Sequence, residues 1–464
     1  MFALDAREII SDDLRNPLVA PHLDFLPEDA HGKGIFKTSQ SAKWLKHLAP
    51  DIRVQMVAYN KKHYYTYEPV QLKNDNIIIP IFFYTLQSNT FAKCYKPQIT
   101  SNRHNSTVKI AIASDILYDD PDLQEINLDD FDLLYSEIVS SDGLKLLEYC
   151  GNLLYEQNSE GTIKLPNPWR EKANGRIIRH VPVNMYCDDT SGNKSKKWNK
   201  HISYYFTLSG LPPNLSNQQF NCHFLCTSNI AGALDLGEIV VQQLNEMVND
   251  GFEAYDMILS QNVLVMAPLL CFLANSPMQA EITNTPVPGP SLNPCRVCVL
   301  SSKTIKDRNT LGYISRFVNK NTHGSNHPNN LRTTEKTIKD SEEVWRYVKE
   351  NALTLNLEKL NEKSAEFGIR DQTNRKFAKQ IISFREKKKE LLLDGKEIPP
   401  DMDQPIPQDL VDLESKDKTQ VLSPFLKLKG LCFDMVRDTP VEILHVFLLG
   451  IVKYLFTEFM SRLD

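Results

Sequence analysis

The amino-acid sequence predicts an α/β protein with a mixed central sheet, and three observations carry that expectation. First, 177–187, 201–208 and 220–228 are short β-prone runs, spaced closely enough to be antiparallel neighbours. Second, LDLGEIVVQQLNEMVNDGFEAYD (234–256) repeats Leu236, Ile239, Val240, Leu244, Met247 and Val248 at helical spacing. Third, NVLVMAPLLCFLA (262–274) is continuously apolar, as a strand buried on both faces is. A helix between the third and fourth strands leaves room for the fourth to lie parallel to the first.

That order, three antiparallel strands, a helix and a buried strand, is the opening of a ribonuclease-H-like fold. Its active-site acids sit at the end of the first strand, the end of the fourth and on a later helix. The rest of the chain divides around this core. Residues 1–45 are polar and Pro-broken and read as a poorly ordered terminus. Residues 46–160, with NIIIPIFFYTL (76–86) and VKIAIAS (108–114), read as a small β-rich module. The core's first part spans 161–282. A Pro-, Asn- and Gly-rich stretch followed by polar helices makes 283–430 an insertion, and 431–464 returns to the core. There TPVEILHVFLLGIVKYLFTEFMSRL (439–463) reads as one apolar helix, with Thr439 as N-cap, Pro440 at the first position and Glu442 at the third.

Composition narrows the function classes. The apolar fraction of 41% and charged fraction of 24% over 464 residues are those of a globular protein with two to four domains. No run approaches the ~18 uncharged apolar residues of a membrane span, and the acidic N-terminus lacks a secretory pattern. Nine cysteines, an odd number, suit a reducing compartment with free thiols. Cys222 and Cys226, four apart, read as buried core residues. The net charge of −5 conceals segregation: 170–200 carries eight Lys/Arg against three acids, whereas 115–137 carries nine acids and no base. A nucleic-acid surface on this chain is therefore expected to be local.

The most informative segment is VPVNMYCDDTSGNKSKKWNKH (181–201). A β-prone run ends in Asp188 and Asp189, and Lys194, Lys196, Lys197 and Lys200 follow a turn. Carboxylates at a strand end can hold a divalent metal while adjacent lysines meet phosphates; the bland alternative is an acidic turn and a solvated basic loop. Trp198 and His201 lie in the same segment, and Arg170, Lys172, Arg176 and Arg179 extend the positive strip as candidate phosphate contacts. Farther on, Cys295-x2-Cys298 is half of a tetrahedral zinc site, and His323-x3-His327 is its nearest complement.

NPWREKANGR (167–176), YCDDTSGNKSKKWNKH (186–201), HFLCTSNIA (223–231), SPMQAE (276–281), CRVC (295–298) and DTPVEILHVFLLGIVKY (438–454) occur in this order. Together they resemble a transposase-like group abundant in fungal genomes, related to the CACTA (En/Spm) and Kyakuja–Dileera–Zisupton DNA transposases. The resemblance implies a cut-and-paste DDE/D enzyme that uses Mg²⁺ or Mn²⁺, acts on transposon-end DNA in the nucleus and assembles as a dimer, with no membrane and no small-molecule substrate. It also implies a structural zinc at the CxxC. Asp188 or Asp189 matches the first acid, with Asp189 slightly preferred, and Glu442 or Asp438 falls in the region of the third, with His445 one turn after Glu442. At the second acid the chain departs: Asn275 stands where the family carries Asp, and Glu281 is the nearest substitute. Two divalent ions bring four positive charges, so replacing a ligating carboxylate with an amide is expected to impair catalysis. The early end of the chain points the same way, to an impaired or relic copy. The alternative from a different class is a host-adopted, non-catalytic DNA- or chromatin-binding protein.

Overall fold

The computed structural model describes residues 2–102, 107–139, 143–157, 160–191, 200–287, 291–293, 295–298, 301–303, 310–311, 331–428, 433–441, 448 and 452–462. The chain is mixed α/β, with several sheets and flanking helices.

The terminus expected to be poorly ordered is instead part of the core. Helix α1 (Ala6–Arg15) starts at Asp5, whose side chain accepts from the Arg7 N–H. Ala6, Ile10 and Leu14, four apart, are buried in the largest apolar cluster. The charges between them (Arg7, Glu8, Asp12, Asp13) hid that stripe from a composition-based reading.

Three sheets follow. Strands Met56–Tyr59 and Lys62–Tyr65 pair as a two-stranded sheet, Val70–Leu72, Ile77–Leu86, Asn89–Tyr95, Leu123–Asn127 and Phe131–Leu134 form the second, and Gln98–Asn102, Thr107–Ile112, Leu153–Glu156 and Thr162–Lys164 form the third. The run Ile78–Tyr84 is buried throughout, so both faces of its strand are covered.

The core elements are β1 (Ile178–His180), β2 (Val183–Ser191), β3 (Lys200–Leu208), β4 (His223–Ser228), α2 (Ala233–Asn249), β5 (Phe252–Asp256), β6 (Gln261–Met266), β7 (Leu269–Leu273) and α3 (Ser276–Ile282). The main sheet has the order β4-β3-β2-β7; β2, β3 and β4 are antiparallel neighbours, and β7 runs parallel to β2. Leu236, Val240, Leu244 and Met247 of α2 cover one face, meeting Val183, Met185 and Cys187 of β2 and Tyr204 and Phe206 of β3. Each such side chain contributes roughly 1.5–3 kcal/mol on burial. Residues 184, 186 and 188 alternate onto the opposite face.

Three expected elements are divided, and the first is the strand expected over 177–187, which breaks at Val181–Pro182 into β1 and β2 in different sheets. The helix expected over 234–256 stops at Asn249, because Gly251 turns the chain into β5 at φ +67°, where a Cβ would lie 2.9 Å from the Val265 carbonyl oxygen. The strand expected over 262–274 breaks at Ala267–Pro268 into β6 and β7, which belong to different sheets. Proline has no N–H to give a central ladder.

The insertion places Thr334–Glu350, Leu357–Phe367 and Gln372–Leu393 around their own core, which includes Trp345, Leu360, Phe377 and Ile381. Buried Asn284, just past α3, ties it to the main body by donating to Asp371 Oδ2 at 2.9 Å. The helix expected from 439 does not start there. Thr439 is buried, donates to the Met435 carbonyl at 2.5 Å and accepts from Arg296, so its hydroxyl cannot cap, and Pro440 and Val441 are non-helical. Within the described part of that run, the α-helix is Lys453–Ser461, with Tyr454, Leu455, Phe456 and Phe459 exposed. Among the described residues no helix is long and apolar enough to cross a membrane.

One buried contact joins the N-terminal segment to the core and makes stability depend on pH. His180 accepts from Trp44 Nε1–H at Nδ1 (3.1 Å), and its Nε2 lies 2.8 Å from the Ile52 carbonyl, which fixes the neutral Nε2–H tautomer. Burial pushes His180 down from 6.5 to about 4, against the Ile52 hydrogen bond. A depressed histidine gives its stabilisation in full above the unfolded value and loses it as pH falls to the folded one. Between pH 6.5 and 4 this should remove roughly 3 kcal/mol. Urea unfolding at several pH values is expected to give a steeper acid loss in the native chain than in His180→Gln; parallel curves would refute the assignment.

Candidate functional site

β2 and β7 run parallel, with Tyr186 opposite Leu273. Two residues beyond that pair, their strand ends bring together Asp188 and Asn275, 87 positions apart in sequence. Asn275 Nδ2 donates to Asp188 Oδ1 at 2.9 Å. The same amide caps α3: its Oδ1 accepts from the Met278 N–H at 3.0 Å. Asn275 therefore has a structural task, which its amide performs with both ends.

Asp188 is half-buried and accepts three hydrogen bonds. Besides the amide, Oδ1 accepts from the Asp189 backbone N–H and Oδ2 from the Tyr186 hydroxyl, both at 2.7 Å. Tyr186 was not singled out from sequence, although a residue two positions before Asp188 on a strand shares its face. Asp189, the slightly preferred candidate from the sequence, is exposed and alternates to the other face. Glu281 lies on α3, and its charge together with that of Asp188 raises the Cys187 thiol, although burial is the main cause. It acts likewise on the buried Tyr204 phenol. Glu281 is thus within electrostatic reach of the end of β2.

As they stand, these residues do not fit a two-metal centre. Asp188 already accepts from three N–H or O–H donors, and its partner across the strands is an amide. Among the described residues, no group of three or more His, Cys, Asp or Glu is placed to hold a metal ion.

Asp438, the alternative third acid, is a structural residue. It is buried, its Oδ2 pairs with Lys43 Nζ at 2.5 Å, and it accepts from the Asp434 N–H at 2.6 Å. Burial raises its pKa more than Lys43 lowers it. Its backbone carbonyl accepts from the Phe272 N–H of β7 at 2.7 Å, and the Pro440 carbonyl accepts from Gln279 Nε2 of α3, also at 2.7 Å. The chain segment 438–440 is thereby clamped to the two elements that flank Asn275. Glu442 and His445 lie outside the described residues.

The expected positive strip is largely consumed inside the protein. Arg170 binds Glu68 through Nε (2.9 and 3.1 Å) and Nη2 (2.5 Å), and its guanidinium carbon lies 4.2 Å from the Tyr65 ring centroid. Arg176 pairs with Glu253, and Arg179 with buried Asp256 at 2.5 Å. Lys172 donates to the Asn249 carbonyl and sits over Trp169. These contacts explain the cations without DNA. Lys194, Lys196, Lys197 and Trp198 lie outside the described residues, and Lys200 and His201 open β3, with His201 opposite Thr190.

At the CxxC, Cys298 and the N–H groups of Cys298 and Val297 stabilise the Cys295 thiolate, and Arg332 adds its charge, holding that thiol down to about 5. Arg332 also donates to the Cys295 carbonyl (Nε, 3.0 Å) and the Val297 carbonyl (N–H, 3.0 Å). Two thiols are a fitting half of a zinc site; His323 and His327 lie outside the described residues. Of the other cysteine pair, Cys226 is buried as expected, but Cys222 is exposed, because it precedes β4 and does not lie within it.

A family model described as a domain of unknown function, DUF8591, matches residues 56–179. The match spans the three N-terminal sheets and ends on β1, before the Asp188–Asn275 strand ends. No curated protein matches the chain.

Proposed function

We propose that this chain derives from a cut-and-paste DNA transposase with a ribonuclease-H-like core, and that its metal-dependent nuclease centre is disabled. The observation that carries this reading is the Asn275–Asp188 contact of 2.9 Å. Two positions that the resemblance assigns to the first and second acids meet at the same end of adjacent parallel strands, and one of them is an amide. The strand order β4-β3-β2-β7 supports the core assignment. The geometry favours Asp188 over Asp189 as the first acid. Glu442 is retained as the third, two residues beyond Pro440, whose carbonyl is bound to α3.

DNA contact then falls to Lys194, Lys196, Lys197 and Lys200, because the Arg170–Arg179 cations are paired internally. Cys295 and Cys298 are the proposed thiolate half of a structural zinc site. A retained DNA-binding surface beside a disabled centre also suits a host-adopted, non-catalytic nuclear DNA-binding protein, and the amide at 275 favours that outcome over an active enzyme.

One preparation of the purified chain tests the reading. Filter binding to duplex DNA is expected to weaken with salt at a log–log slope of about −3 to −4, for four lysines on phosphates. Elemental analysis is expected to give one zinc per chain. No nicking should appear with Mg²⁺ or Mn²⁺. Metal-dependent nicking would overturn the disabled centre, and absence of DNA retention at low salt would overturn the DNA assignment.

A further inference from the structure

A cavity of about 690 Å³ opens between the N-terminal sheets and the core, with Trp169, Ile116 and Ile163 among its apolar walls. This is the size and lining of a small-molecule site at a boundary between structural units. Its polar lining is unusual in one respect. Arg53 is only 7% exposed, yet among the described residues no carboxylate forms an ion pair with it, and Asp51 acts on it only through its charge. Its guanidinium reaches two backbone carbonyls, Ile81 at 3.4 Å and Leu48 at 3.2 Å, and stacks on Phe82 at 4.0 Å, while Nε has no hydrogen-bond partner. Asn249, on the same wall, has a buried Oδ1 that is likewise without a partner.

A buried charge whose hydrogen bonds all go to neutral groups is costly to keep, and a similar-sized apolar side chain would commonly serve the fold better. Arg332, 6% exposed, is likewise held by backbone carbonyls, those of Cys295, Gly368 and Asn293, whereas the less buried Arg170 and Arg179 each meet a buried carboxylate. Arg53 is set apart by lining a cavity, which it shares with the exposed Lys164 and with Lys172; Lys46 and Arg437, also in the lining, are paired with Asp119 and Asp434. A buried guanidinium with an orphaned donor, the exposed Lys164 and an aromatic wall meet at one volume.

We propose that this cavity binds a small organic anion, with its carboxylate or phosphate against Arg53 and its apolar body against Trp169 and Ile163. A planar guanidinium is suited to both anions through paired N–H donors. The site is independent of the Asp188–Asn275 strand ends, and 12 of its 23 lining residues, Trp169 and Ile163 among them but not Arg53, fall in the stretch that matches the domain of unknown function.

Isothermal titration of the full chain with phenyl phosphate, phenylacetate and benzyl alcohol tests the proposal. At least one anion is expected to bind one per chain and the neutral alcohol about tenfold more weakly or not at all, and the stronger anion identifies the headgroup. Arg53→Gln is expected to weaken the anion by at least about tenfold. Lys164→Glu, an exposed charge reversal at the lining, should weaken it about two- to fivefold without disturbing the fold, and it decides the matter if Arg53→Gln does not fold. Absence of binding by both anions, alcohol binding as tight as theirs, or anion affinity unchanged in Lys164→Glu and in any folded Arg53→Gln would overturn it.

Discussion

Asn275→Asp is expected to destabilise the chain in chelator and to regain that stability with millimolar Mg²⁺ or Mn²⁺. The substitution keeps the cap of α3, because Asp and Asn serve equally as N-caps. What it removes is the donor: the 2.9 Å contact from Nδ2 to Asp188 Oδ1 becomes a meeting of two carboxylates. Without a cation this should cost on the order of 1–3 kcal/mol, as a lost hydrogen bond is joined by like-charge repulsion. A divalent ion between the oxygens reverses the sign. Loss of a supporting contact alone changes metal affinity by about 10–100-fold, so gain of a ligating carboxylate should tighten it by at least that much. Thermal unfolding with and without metal reads the effect on the native chain and on Asn275→Asp. A metal-dependent shift confined to the variant is the expected result, with nicking of duplex DNA as the stronger outcome. If the variant shows no metal dependence, the pair of strand ends is not a degraded metal site.

The elements legible in the sequence were those specified by local pattern. β2, β3, β4 and α2 follow from β-prone runs, turn residues and a helical stripe, and the structure has all four. The division of 262–274 was also written locally, since proline within an apolar run is a breaker, but continuous hydrophobicity outweighed it in the reading. α1 shows the opposite failure. Its buried residues at four-residue spacing are flanked by charges, and only the core that receives them reveals that the segment is ordered.

The candidate site was legible in part, for a related reason. Period-two alternation places Asp188 with Tyr186 and Asn184 on one face and Asp189 on the other, but the sequence does not say which face α2 covers. That depends on tertiary packing, and it is what separates the two aspartates. Asn275 was found through the resemblance, whereas its second task, capping α3, is a local signal that Asn-Ser-Pro carries by itself. Long-range ion pairs were illegible. Lys43 and Asp438 meet across 395 positions, so a carboxylate that reads as catalytic proves to be a buried structural charge. Arg53 escaped notice because a lone arginine among polar residues has no pattern until its surroundings are known.

Arg170 makes the same point with the largest stability change expected. As a phosphate contact, its removal would weaken DNA binding and leave the fold intact. The structure assigns it the reverse role. Its partner Glu68 is 2% exposed, its own side chain is 26% exposed, and one guanidinium makes three bonds to that carboxylate and a fourth to the His63 carbonyl at 2.9 Å. Glu68 also accepts from the Asn167 N–H at 2.9 Å, so the pair holds the start of the helix Pro168–Ala173 against the N-terminal sheets. Arg170→Ala leaves a buried carboxylate without its cation, which typically costs about 3–5 kcal/mol, with partial exposure of Arg170 favouring the lower end. Urea unfolding of the folded variant should show that loss, while its DNA affinity and salt slope stay at the native values. Arg170→Met combined with Glu68→Leu should recover much of the stability, because no charge is then left buried alone. A variant that keeps native stability but binds DNA less tightly would return Arg170 to the phosphate-binding strip.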